Sequence, residues 1–77
     1  MQSIHSSEYK TFLTDLRQQR LAKRLTQVQV AKALGKPQSF VSKIETGERR
    51  LDPLELKALA KLYGISIDRL LGHVKSS

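Results

Sequence analysis

Apolar residues recur in this chain at helical spacing and at no other. Tyr9, Phe12, Leu13 and Leu16 fall at i, i+3, i+4 and i+7, and Leu56, Leu59, Ala60 and Tyr63 repeat the same template. Each set therefore lies on one face of a helix. No window alternates at period two for long enough to form a strand. Glycine and proline punctuate the pattern. Gly35, Gly47 and Gly64 each follow an apolar stripe, where a left-handed residue closes a helix. Pro37 and Pro53 stand where a new helix begins. A chain marked in this way folds as several short helices joined by tight turns.

The local signals set approximate bounds. A first helix covers about residues 7–23, capped by Ser6 or Ser7, with Glu8 near its positive end. Thr26 caps a second, whose stripe is Val30, Ala31 and Leu34. A third runs over about 38–45 with Val41 and Ile44 inward. Asp52, Pro53 and Glu55 combine an aspartate cap, a proline at the first helical position and a glutamate three residues after the cap. Ser66 caps a short last helix with Ile67, Leu70 and Leu71 inward and Gly72 at its end. The expected architecture is all-α, a compact five-helix bundle forming one domain over 7–72 between flexible tails at 1–6 and 73–77.

Composition removes several classes of function. The chain has no cysteine, which excludes disulfide scaffolds, thiolate metal sites and thiol catalysis. His5 and His73 lie at opposite ends without a ligand cluster, so no metal site is expected. No nucleophile has a neighbouring base, and Asp15, Asp52, Glu55 and Asp68 suit helix starts or solvated faces. Neither an enzyme nor a cofactor is expected. No apolar run approaches a membrane span or a signal peptide.

What remains is charge. The net charge is +7, and all of it lies in one segment. Arg17, Arg20, Lys23, Arg24, Lys32, Lys36, Lys43, Arg49 and Arg50 face only Glu45 and Glu48 there, while the rest of the chain balances. Such a block suggests an anionic partner, either nucleic acid or an acidic membrane surface. The same segment holds the two shortest internal helices, joined by a turn at Gly35. Two short helices with a glycine turn, in a basic all-α chain, have the form of a helix-turn-helix. Ala31 is small where the helices cross, and Val30, Leu34, Val41 and Ile44 fill the wedge between them. Gln38, Ser39, Ser42 and Lys43 are then left on the outer face of the third helix, as short polar or cationic groups suited to base edges.

The chain from about Leu16 to Leu71 resembles the lambda repressor and Cro superfamily of helix-turn-helix regulators, also called the xenobiotic-response-element type. The matching residues are Leu-Thr-Gln at 25–27, Val-Ala at 30–31, Leu-Gly at 34–35, Gln-Ser-Phe-Val-Ser-Lys-Ile-Glu-Thr-Gly at 38–47 and Leu-Ala-Lys-Leu-Tyr-Gly-Ile-Ser-Ile-Asp-Arg-Leu-Leu at 59–71. The resemblance implies that the third helix enters the major groove of double-stranded DNA. Gln38, Ser39, Lys43 and Ser42 would then read bases, with Lys43 equally suited to phosphate. Gln27 would hold a phosphate at the start of the second helix, or merely help to cap it. Arg17, Lys36, Arg49 and Arg50 would clamp flanking phosphates. Arg20 and Glu45 would form a structural ion pair. Phe40 would touch a thymine methyl or a sugar edge, or else cover the seam with the fourth helix. Two positions depart from the family pattern. Arg24 stands where glycine is frequent, so that turn is expected to be strained or differently shaped. Pro37 replaces a frequent serine cap.

A single domain of this size reads few base pairs, so a homodimer on an inverted repeat is expected. Leu62, Ile67, Leu70, Leu71 and Val74 exceed the needs of one small core and are the expected dimer face. The expected protein is a bacterial or phage regulator of repressor type, cytoplasmic and bound to the nucleoid. No small-molecule ligand is expected. The competing reading is a protein-interaction module, such as an antitoxin or anti-repressor subunit acting through a protein partner. A membrane-surface peptide would need a strongly basic helix with a large exposed aromatic face, which is lacking.

Overall fold

A computed structural model describes residues 7–73. Its elements are α1 (Ser7–Ala22), α2 (Gln27–Leu34), α3 (Gln38–Thr46), α4 (Pro53–Tyr63) and α5 (Ile67–Leu70), followed by a 3₁₀ turn at Leu71–His73. No strand occurs among the described residues. The tails expected at 1–6 and 74–77, and with them Val74, lie outside the described residues.

The starts of α2 and α4 are built alike. Thr26 Oγ1 accepts from the Gln29 N–H at 3.1 Å while Gln29 Oε1 accepts from the Thr26 N–H at 2.8 Å. Asp52 and Glu55 repeat this reciprocal cap at 2.7 and 3.0 Å, with Pro53 as the first helical residue. Each box satisfies donors that a helix start otherwise leaves bare. By contrast, α3 begins at Pro37 with no side-chain cap.

Three helix ends also share one design. The Leu25 N–H reaches the Arg20 carbonyl (3.1 Å), the Lys36 N–H reaches that of Ala31 (2.9 Å), and the Ile65 N–H reaches that of Ala60 (3.0 Å). Such a wrap requires a left-handed residue just before the donor. Gly35 and Gly64 supply it in two cases, and Arg24 at φ 57° supplies it in the first. The turn after α1 thus keeps the family shape, and the arginine carries the strain, of order 1–2 kcal/mol. Gly47 is constrained twice, by its φ of 85° and by a side-chain position that would come within 3.3 Å of Leu13 Cδ1. Here the end of α3 lies directly on α1.

Every helix contributes to one core: Phe12, Leu13 and Leu16 from α1, Val30 and Ala31 from α2, Phe40, Val41 and Ile44 from α3, Leu59, Ala60 and Tyr63 from α4, and Leu70 from α5. Two expectations need correction here. The last helix does not stop at Gly72, because a 3₁₀ turn carries the chain through it. Leu71 accordingly points away from the core and is 39% exposed. Leu70 is wholly buried at 0% exposure, so it is core and cannot belong to a dimer face. A single helical turn directs one of two adjacent leucines inward, and the core takes Leu70. Leu62 and Ile67 are half-buried against that core.

Candidate nucleic-acid interface

The polar face of α3 follows from its packing. Phe40, Val41 and Ile44 turn inward, which leaves Gln38, Ser39 and Lys43 exposed and Ser42 half-buried. Phe40 departs from its expected outer position. At 9% exposure it is core, in the seam toward α4, and no open ring face remains for a thymine methyl. The inward face of α3 is wider than an i, i+3 stripe, since it takes two adjacent residues. The Lys36 ammonium lies 5.4 Å and the Arg49 guanidinium 4.7 Å from the Phe40 ring centre, close enough for cation–π attraction.

Behind this face lies a polar chain. Arg20 donates from Nε to Glu45 Oε2 at 2.7 Å and from Nη2 to Oε1 at 3.2 Å. Its Nη1 donates to the Leu25 carbonyl at 2.7 Å, bracing the turn that follows α1. Both side chains are nearly covered, at 8% and 5% exposure. Glu45 Oε1 also accepts from Gln27 Nε2 at 3.0 Å, and Gln27 Oε1 accepts from Gln38 Nε2 at 3.0 Å. Gln27 and Gln38 are the first residues of α2 and α3, so the polar chain joins the two helix starts. Below it, burial pushes the Tyr63 phenol up to about 12, with the charge of Glu45 adding to the effect and that of Arg20 opposing it. Sequence periodicity contains no sign of this chain, because its members stand 11, 18 and 25 residues apart. A glutamine at the start of each of two consecutive helices is the only sequence trace of it.

The flanking cations differ in their availability. Arg17 and Lys36 are exposed. Arg50 stacks over the Tyr9 ring at 4.8 Å. Arg49 is engaged by Glu55 through two bonds of 2.8 and 2.9 Å, and its Nη1 also donates to the Arg50 carbonyl at 3.0 Å. The hydrogen bond from Arg49 holds the Glu55 carboxyl below its ordinary value, against a smaller opposing effect of burial. Among the described residues no helix is long and apolar enough to cross a membrane, and no group of three acidic or histidine side chains could hold a metal ion.

Comparison with known proteins agrees with this layout in one respect. A family model described as helix-turn-helix matches residues 16–70. No curated protein matches the chain.

Proposed function

The chain belongs to the helix-turn-helix family of lambda repressor and Cro type, a family of DNA-binding transcription regulators, and from that premise we propose that it binds double-stranded DNA sequence-specifically as a homodimer. In this reading α3 lies in the major groove and the start of α2 abuts the phosphate backbone. Gln38, Ser39 and Lys43, with Ser42 beside them, meet base edges. Gln27, Arg17, Lys36 and Arg50 meet phosphates, and Arg49 joins them through whichever donors Glu55 leaves open. Phe40 is not among the contacts.

The observation that carries this reading is the exposed polar start of α3, held by a hydrogen bond to the start of α2 within the segment that holds the whole net charge. Charge brings the protein to any duplex, and a fixed set of side chains at the groove discriminates between sequences. The dimer would form through Leu62, Ile67, Leu71 and Val74, on an inverted repeat with half-sites about 34 Å apart or a multiple of that. Such a protein is expected to act as a bacterial or phage repressor bound to the nucleoid.

Selection from a library of random duplexes tests the reading. A single half-site should be enriched, in inverted repeat. The logarithm of affinity should fall with that of salt concentration by about 0.9 per phosphate contacted. A flat salt response would overturn the nucleic-acid reading and favour a protein partner. Sedimentation that shows only monomer, free and on the selected site, would overturn the dimer.

A further inference from the structure

The polar chain behind α3 has a direction fixed by chemistry. A carboxylate only accepts hydrogen bonds. Glu45 takes two from Arg20, so the amide group that faces its Oε1 must be an NH₂, and Gln27 offers Nε2 there at 3.0 Å. The Gln27 carbonyl is thereby turned to the other side, where it too can only accept. Gln38 must then present its own Nε2 to it, as it does at 3.0 Å. One N–H and the carbonyl Oε1 of Gln38 remain for an outside partner. The chain is anchored at its root, since Arg20 is also tied to the Leu25 carbonyl and the Glu45 side chain is only 5% exposed.

We propose that Glu45 is a positioning residue for base recognition: through Gln27 it fixes which way round the Gln38 amide is held, and so which base Gln38 accepts. The proposal rests on the reading above that α3 meets base edges. An amide held one way round offers an acceptor and a donor in a set order, the complement of adenine N6 and N7. An amide able to turn through 180° offers both orders and discriminates less. The buried pair thus transmits a polarity to the protein surface without touching the duplex itself.

Selected-site profiles of the wild-type chain, Gln38→Met, Gln27→Met and Glu45→Gln test this, each paired with a thermal melt. Gln38→Met identifies the base pair that Gln38 reads by erasing the preference there. Gln27→Met removes the middle link but leaves Arg20 and Glu45 paired, so it decides the question even if Glu45→Gln strands Arg20 and unfolds the chain. In Gln27→Met the adenine preference at that one pair should fall about tenfold, while preferences elsewhere in the site persist. A folded Glu45→Gln should do the same, because its amide can offer Gln27 either an N–H or an oxygen. Full adenine preference in Gln27→Met overturns the proposal. A different result marks failure of the underlying reading: the wild-type chain selects no site, or Gln38→Met leaves the profile unchanged. Either outcome removes the proposal as well.

Discussion

Two arginine–glutamate pairs in this molecule have nearly the same geometry and opposite surroundings. Arg20–Glu45 closes at 2.7 Å with side chains 8% and 5% exposed, and Arg49–Glu55 closes at 2.8 Å with 42% and 15% exposed. Each uses two guanidinium nitrogens and two carboxylate oxygens. Length and bond count therefore do not distinguish them; access to water does. Around the inner pair, neither ion can be rehydrated if its partner is lost, so the pair behaves as a single unit. Around the outer pair, water replaces whatever partner is removed, and little net stability is at stake.

The most severe way to break this comparison is to remove one half of the inner pair. Glu45→Ala should cost about 3–5 kcal/mol in chemical denaturation, a large part of the stability of a small domain. Replacing both partners, as Arg20→Met with Glu45→Leu, should be neutral or stabilising. That double variant would show that the pair stabilises little beyond what apolar packing supplies. A double variant as unstable as Glu45→Ala would mean instead that the ion pair itself holds the helices together.

Alkali should act on the inner region next. The folded pKa of Tyr63, about 12, lies above its unfolded value, so the stability it contributes is complete below about pH 10. That stability is lost as pH rises from about 10 to 12, by about 1.4 kcal/mol per unit. Tyr63→Phe should flatten this loss in denaturation curves taken across that window. A variant that loses stability in parallel with the wild type would remove Tyr63 from the explanation.

The outer pair should respond to acid instead, and weakly. Glu55 is held low by Arg49, so its contribution is present at neutral pH and is lost as pH falls through its depressed folded value. Arg49→Ala should cost below about 1 kcal/mol, less still in 1 M salt, where screening acts within about 3 Å. Glu55→Ala would cost more, because it also dismantles the cap of α4. A difference between these two variants would separate the cap from the pair.

The smallest effect concerns the turn that Arg20 braces. Arg24→Gly relieves the left-handed strain but raises the entropy of the unfolded chain. The net gain should be about 0.5 kcal/mol, read as a small rise in thermal midpoint. A loss of stability would mean that the Arg24 side chain supports the turn by another route.

The same contrast of local and distant effects explains what the sequence revealed. The reciprocal caps at Thr26 and Asp52 and the glycine ends at Gly35 and Gly64 were legible because each involves residues within a few positions of one another. Phe40 was misplaced because its neighbours Gln38, Ser39 and Ser42 are polar, and only packing against α4 shows that α3 buries two adjacent residues. Leu70 and Leu71 are alike in a helical pattern, and the 3₁₀ turn that separates their fates is a tertiary outcome. The pairing of Arg49 with Glu55 crosses a loop at a separation of six residues, outside any helical period. The link from Glu45 through Gln27 to Gln38 depends on three helix positions at once, and so required the fold.

The seat of Gly47 on Leu13 has a mechanical consequence. Contact at 3.3 Å leaves no room for α3 to slide against α1, and the buried pair fastens the same two helices a short way off. No hinge separates the framework from the surface proposed to read DNA. On a duplex the protein would behave as a stiff template, and the double helix would be the compliant partner. Sequence steps that bend or narrow readily would then be favoured even where no side chain reaches them.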